Sequence, residues 1–282
     1  MYNNNMKGLI ETANREGFAI PAFNYSDIWE LLAIVEAARD RKAPVYIASN
    51  SLVVNTLGID YCGALGKVAY KESHGYVLNH LDHAMEVDLC RKAIDSGYMS
   101  VMIDGSLKEL MENIAMVKEV VRYAHDKGVI VEAEIGKIRG SNEEGTYTGN
   151  EYLGSVEEAV AMVSATNVDS LAVGIGNAHG FYKQPPHIHI DLLRDVHHAV
   201  SVPLVLHGST GIPYETVRAC IKNGIAKVNV GTMLHSTYVK QLRIELEKKE
   251  DYNVVTLLTP VKDAVKAMVK EWIDVCYAGG RY

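Results

Sequence analysis

Ser100–Gly136 reads SVMIDGSLKELMENIAMVKEVVRYAHDKGVIVEAEIG, and this stretch decides the fold. It opens on a short apolar run, Ser100 to Ser106, and closes on another, Val129 to Gly136. Between them Leu110, Ile114, Val117 and Val121 recur at three- and four-residue steps. That spacing aligns side chains along one face of a helix. Strand, amphipathic helix, strand is the pattern of βα units repeated around a parallel sheet.

Working outward, the alternation continues in both directions. Towards the N-terminus lie Ala19–Ser26 (AIPAFNYS), Pro44–Asn50 (PVYIASN) and Tyr76–His83 (YVLNHLDH), and towards the C-terminus Ser170–Gly176 (SLAVGIG), Pro203–Ser209 (PLVLHGS) and Ile225–Thr232 (IAKVNVGT). Leu31, Leu32, Ile34, Val35 and Ala38 mark a helix within Leu31–Arg39; Leu9, Ile10 and Ala13 suggest an opening helix, and Thr259–Tyr277 a terminal one. Eight strands with intervening helices, in about 250 residues, match an α/β fold of the closed (β/α)8 TIM-barrel type better than an open doubly wound sheet. No Gly-x-Gly-x-x-Gly follows the first run, which removes the main argument for a dinucleotide fold. By length alone, 282 residues fit two small domains or one large barrel. The absence of a Pro- or Ser-rich linker favours a single domain over residues 1–282.

Lys and Arg total 28 against 35 Asp and Glu, a formal charge of −7. Such a balance argues against broad capture of nucleic acid or of an anionic membrane, so an anionic ligand needs a local site. No stretch approaches the roughly 20 apolar residues of a membrane span. The four cysteines, Cys62, Cys90, Cys220 and Cys276, are too scattered for a disulfide framework or a Cys-x-x-Cys motif, which fits a reducing, cytoplasmic compartment.

In a barrel of parallel strands the chemistry comes from the C-terminal strand ends and the loops after them. The third run ends in Asp82 and His83, the fourth carries Asp104, the fifth Glu132 and Glu134; His179 follows the sixth and His207 ends the seventh. Three imidazoles with an open position make a catalytic Zn²⁺ site. The third imidazole is ambiguous: regular strand alternation puts His80 on the same face as Asp82 and opposite His83, and the residues alone leave both in play. A second signal lies in His207-Gly208-Ser209-Thr210-Gly211 and Asn229-Val230-Gly231-Thr232. Small residues, hydroxyls and open N–H groups after strands seven and eight commonly hold phosphate in this architecture. The polar, glycine-rich Gly136–Gly154 has the length of a lid or binding loop.

These landmarks together, with AFN at Ala22–Asn24, HLDH at His80–His83, VEAEIG at Val131–Gly136, HGFYK at His179–Lys183, LVLHGSTGIP at Leu204–Pro213 and KVNVGT at Lys227–Thr232, resemble the class II, metal-dependent ketose-bisphosphate aldolases, particularly the fructose- and tagatose-bisphosphate branch. The resemblance runs from about Ala19 to Arg281. It implies His83, His179 and His207 as Zn²⁺ ligands, with Asp104 and Glu134 close to the metal. It implies Asp82 as the acid and base at the substrate's C4 hydroxyl and a loop acid, Glu143 or Glu144, as a second proton carrier, of which Glu143 is the choice. Gly180, Gly208, Ser209, Asn229, Gly231 and Thr232 would surround the phosphate, with a monovalent cation (Na⁺ or K⁺) nearby. Arg281 resembles an arginine that reaches a neighbouring subunit's distal phosphate, in a homodimer or homotetramer.

The expected activity is therefore that of an aldehyde-lyase: reversible cleavage of fructose or tagatose 1,6-bisphosphate to dihydroxyacetone phosphate and an aldehyde. The alternative is a deoxy-keto or monophosphorylated sugar. A Schiff-base aldolase needs a lysine poised inside the barrel; the sixth run has none, and Lys227 precedes the rim of the eighth. A metal-dependent hydrolase on the same barrel is a further rival, but AIPAFNYS lacks the His-x-His that such barrels often place on the first strand.

Overall fold

The computed structural model describes residues 6–138, 153–184, 186–248 and 253–281. The chain runs α1 (Met6–Glu16), β1 (Ile20–Asn24), α2 (Ile28–Arg41), β2 (Val45–Asn50), α3 (Ser51–Leu57), α4 (Ile59–Glu72), β3 (Val77–Ala84), α5 (Val87–Ser96), β4 (Ser100–Ile103) and α6 (Leu110–His125). It continues through β5 (Ile130–Ile135), α7 (Val156–Thr166), β6 (Ser170–Val173), α8 (Ile190–Ala199), β7 (Leu204–Leu206), α9 (Tyr214–Lys222), β8 (Ile225–Val230), α10 (Thr232–Lys248) and α11 (Val254–Val275). All eight strands are parallel and close in sequence order, β8 returning to β1 through pairs such as Ala22 with Asn229. The fold is a (β/α)8 barrel, and each apolar run of the sequence supplies one strand.

The strands are buried almost end to end because helices cover the outside and side chains fill the inside. The helix starts are set by local chemistry. Asp27 accepts from the Glu30 N–H to begin α2, and Ser155 and Glu158 form a reciprocal capping box at α7; each such cap stabilises its helix by about 1 kcal/mol. Ile10 and Ala13 of α1 are fully buried, and Lys7 reaches Asp169 at 3.2 Å, so the opening helix packs on the barrel as its pattern implied. At the far end of the chain α11 lies against α2 and α10. Among the described residues no helix is long and apolar enough to cross a membrane.

Two pairings shift register, β7–β8 between Leu204 and Val205 and β3–β4, and the second matters for the site. The β3–β4 pairing shifts register between Leu81 and Ala84, and His83 lies at a φ of 46°. A left-handed residue within a strand breaks the two-residue alternation. The side chains of Asp82 and His83, adjacent in sequence, therefore both line the same cavity.

Candidate active site

Period-two alternation delivers polar side chains in pairs to the barrel interior. His80 and Asp82 come from β3, Glu132 and Glu134 from β5, and Lys227 and Asn229 from β8; all six are buried. The first member of each pair joins a lower cluster. Lys227 Nζ lies 2.8 Å from Glu132 Oε2 and 3.2 Å from His80 Nε2, and His80 Nδ1 lies 2.8 Å from Ser100 Oγ. Lys227, 1% exposed, is thus inside the barrel, beneath the rim and ion-paired with Glu132. His80 belongs to this layer, so of the two candidate histidines it is His83 that reaches the cavity.

Of the upper members, Asp82 and Asn229 line the cavity. Asn24 Nδ2 donates to Asp82 Oδ2 at 2.7 Å and Asn229 Nδ2 to Asp82 Oδ1 at 3.1 Å, so both carboxylate oxygens are fixed. Burial on its own raises the Asp82 carboxyl, but the His83, His80 and His207 rings and Lys227 outweigh it and hold it well below the usual carboxylate range. Asn24, the last residue of β1, holds Asp82 although sequence reasoning gave it no role; its signal was its place in the AFN landmark at a strand end.

The three rim imidazoles converge. Ring centroids of His83 lie 4.8 Å from His179 and 4.6 Å from His207, with 5.9 Å between His179 and His207. The close approach comes from backbone packing. Asn177 donates to the His207 carbonyl, and the Tyr182 hydroxyl accepts from the Ala178 N–H while donating to the Gly208 carbonyl. Gly208, at φ 62°, has no room for a side chain: a Cβ there would stand 2.2 Å from the Ala178 oxygen.

Carboxylates fix which nitrogen each ring presents. Asp104 holds His83 Nδ1 at 2.8 Å and Glu132 holds His207 Nε2 at 2.7 Å, which leaves His83 Nε2 and His207 Nδ1 facing each other at 2.9 Å. Carboxylate–imidazole pairs of this kind orient metal ligands. Burial alone would lower the His83 imidazole, but Asp82, Asp104 and Glu134 push it up to about 10. Burial and the two neighbouring rings push His179 down to about 3, which keeps it neutral. Burial, reinforced by Asp104, raises Glu134 well above the ordinary range, while Asp104 is lowered, the pull of His83 overcoming its desolvation. Ligand nitrogens and oxygens of His83, His179 and His207, and of His83, Asp104 and Glu134, lie within 4.8 Å of one another, and Glu134 Oε2 is buried with no hydrogen-bond partner among the described residues. This donor set fits a divalent cation of the zinc type.

The cavity itself, about 390 Å³, is lined at its β6–β8 side by Gly180, Gly208, Ser209, Thr210, Asn229, Gly231 and Thr232. Helix α10 starts there at Thr232, with Gly231 and Thr232 on the cavity, while the Met233 N–H donates to Thr210 Oγ1 and the Leu234 and His235 N–H groups to the Gly231 carbonyl. Two of the expected phosphate ligands carry other duties: Ser209 Oγ donates to the Asn229 carbonyl at 2.5 Å, and Asn229 Nδ2 serves Asp82. Arg281 does not line the cavity of its own chain. It lies 3.3 Å from Glu16 and over the Phe18 ring, by the start of β1. Glu143 and Glu144 lie outside the described residues. The feet of their loop meet, with Gly154 N bonded to Gly174 O and Gly136 at φ 72° packed against Gly154.

Fold and site together define a (β/α)8 barrel with a metal-capable histidine rim beside a wall of glycines and hydroxyls. The description "Fructose-bisphosphate aldolase class-II" matches residues 4–281, and the chain belongs to that family. It is 37% identical to the 6-phospho-5-dehydro-2-deoxy-D-gluconate aldolase of Bacillus subtilis (strain 168) over 269 residues, 94% of this chain and 92% of that one. It is 36% identical to the enzyme of the same name from Halalkalibacterium halodurans over 271 residues, 94% and 93% of the two chains. Among solved structures, the YdjI aldolase from Escherichia coli K12 superposes with a TM-score of 0.87 at 28% identity over 98% of both chains. A putative fructose-1,6-biphosphate aldolase from Coccidioides immitis gives 0.87 at 29% identity, covering 100% of this chain and 99% of that one.

Proposed function

We propose that the protein is a zinc-dependent aldolase that cleaves a phosphorylated deoxy-keto sugar acid of the 6-phospho-5-dehydro-2-deoxy-D-gluconate type. The class is carried by one observation: Asp82 and the imidazoles of His83, His179 and His207 meet at one rim, beside the N-terminus of α10. The substrate is supported by relatives of that name aligning over 94% of the chain. This favours the deoxy-keto alternative over fructose or tagatose 1,6-bisphosphate. Retro-aldol cleavage of such a compound yields dihydroxyacetone phosphate and 3-oxopropanoate, because the ketone lies at C5 and the breaking bond joins C3 to C4.

In the cleavage direction Asp82, held ionised and oriented by Asn24 and Asn229, accepts the proton of the C3 hydroxyl. As the C3–C4 bond breaks, its electron pair passes into the dihydroxyacetone phosphate half and the C3 oxygen becomes an aldehyde. His83, His179 and His207, with Asp104 and Glu134 close by, would hold the metal, which supplies Lewis-acid stabilisation of the negative charge. The N–H groups of Gly180, Gly208, Gly231 and Thr232 anchor the phosphate, so the reacting carbons are presented to Asp82 in a fixed orientation. Protonation of C4 completes the cycle.

Exposed Val239, Ile244, Leu246, Val254 and Val255 on α10 and α11 support assembly as a homodimer or homotetramer. Four buried free cysteines suit a reducing, cytoplasmic setting. The test is a coupled assay of triose phosphate release across 6-phospho-5-dehydro-2-deoxy-D-gluconate, fructose 1,6-bisphosphate and tagatose 1,6-bisphosphate. The deoxy-keto acid should give a kcat/KM at least about 100-fold above either bisphosphate; a bisphosphate in first place would overturn the substrate reading.

A further inference from the structure

Two side chains of the segment after β6 reach across to consecutive carbonyls after β7. Asn177 Nδ2 donates to the His207 carbonyl at 3.0 Å, and the Tyr182 hydroxyl donates to the Gly208 carbonyl at 2.8 Å. Each side chain is anchored in turn: Asn177 Oδ1 accepts from the Ile175 N–H at 2.8 Å, and the Tyr182 oxygen accepts from the Ala178 N–H at 2.8 Å. A trans peptide group is planar, with its C=O and N–H pointing in opposite directions. The His207 carbonyl shares its plane with the Gly208 N–H, and the Gly208 carbonyl with the Ser209 N–H. Holding the two carbonyls therefore turns two successive N–H groups away from the side chains that hold them. Neither N–H has an acceptor among the described residues, and Gly208 and Ser209 both line the cavity. Gly208 also takes φ 62°, and a left-handed residue is what lets neighbouring N–H groups face one anion.

We propose that Asn177 and Tyr182 are positioning residues that aim the Gly208 and Ser209 N–H groups at the phosphate of the substrate. This rests on the aldolase reading above. It adds the Ser209 backbone to the groups that meet the phosphate, the Ser209 hydroxyl being committed to the Asn229 carbonyl. Amides fixed before the ligand arrives bind it without the entropy loss of ordering them on contact.

The experiment uses zinc-loaded protein and two hydroxamates that differ only in the phosphate, phosphoglycolohydroxamate and glycolohydroxamate, with dissociation constants from calorimetry. Both present the same metal-binding group, so the ratio of the two constants isolates what the phosphate contributes. Tyr182→Phe keeps the ring and removes the hydroxyl; it should lower the phosphate's advantage by about 10-fold, the scale of one charged hydrogen bond. Asn177→Ala should do the same through the neighbouring peptide, which keeps the test decisive if Tyr182→Phe does not fold. Ser73→Ala is the control. Its buried hydroxyl donates to the Tyr70 carbonyl at 3.0 Å and accepts from the Val77 N–H at 2.9 Å, at the start of β3 and so at the other end of the barrel. It should lower Tm and leave the ratio unchanged. Parallel loss with both hydroxamates, or a ratio left intact in the zinc-loaded variants, would overturn the proposal. Equal binding of the two hydroxamates by the unaltered protein would overturn the anchoring of phosphate itself, and with it the reading on which the proposal rests.

Discussion

Glu132 Oε1 lies 2.7 Å from His207 Nε2, and this contact leaves the other ring nitrogen of His207 facing His83 Nε2 at 2.9 Å. The second oxygen of Glu132 is 2.8 Å from Lys227 Nζ, so one buried carboxylate serves both a rim imidazole and a buried ammonium. Replacing Glu132 by Gln leaves Lys227 uncompensated, and stability should fall by about 3–5 kcal/mol. It should also weaken zinc binding by about 10- to 100-fold in chelator competition, as expected when a ligand's supporting carboxylate is lost. Adding Lys227→Met should recover much of the stability but not the affinity. Recovery of both would show that Glu132 acts on the metal only through folding.

Asp82 touches two amide donors and none of the rim carboxylates. Asp82→Ala should therefore retain zinc at one equivalent, measured by elemental analysis, while kcat drops by about 10²- to 10⁴-fold, the usual contribution of a positioned acid–base group. Loss of zinc along with activity would assign the residue to holding the site together.

Lys227 bears on the Schiff-base alternative, because it is a lysine inside the barrel that lies below the rim, as its place in the eighth strand implies. Its ammonium sits between Glu132 and His80 in the layer below the cavity, and it does not line the cavity. Borohydride with substrate should leave no adduct by mass spectrometry. Thorough chelation should abolish cleavage, and Zn²⁺ or Co²⁺ should restore it. Activity that survives metal removal would sink the class II mechanism for this chain.

Away from the site, Lys262 and Lys266 of α11 reach Glu36 of α2 at 2.7 and 2.9 Å. Partial burial raises the Glu36 carboxyl, but the two ammonium groups outweigh that and lower it below its ordinary value of 4.5. A depressed carboxylate adds stability that is present above the unfolded pKa and disappears as pH falls through the folded one. The contribution is about 0.5–1 kcal/mol for a partly solvated pair. Glu36→Gln should flatten the fall in Tm between about pH 5 and about pH 3 while leaving the rim chemistry alone; an unaltered slope would mean that other carboxylates carry it.

The barrel was legible because its signals are local: short apolar runs, three- and four-residue helical stripes and a count of eight are all properties of neighbours in the chain. Strand periodicity puts Glu132 with Glu134 and Lys227 with Asn229 on one face each, but that this face is the barrel interior is read from the closed sheet. His80 against His83 could not be resolved that way, because strand periodicity assumes a regular backbone and the left-handed turn at His83 is made by the register shift against β4. Nor could Asn24 be tied to Asp82, or Lys227 to Glu132, since these partners are 58 and 95 residues apart and meet only when the sheet closes. The sequence by itself determined the architecture and the strand ends from which chemistry is drawn. Tertiary structure alone decided which side chains share the rim and which nitrogens of His83 and His207 face each other, because those depend on distances between strands that chain order does not encode.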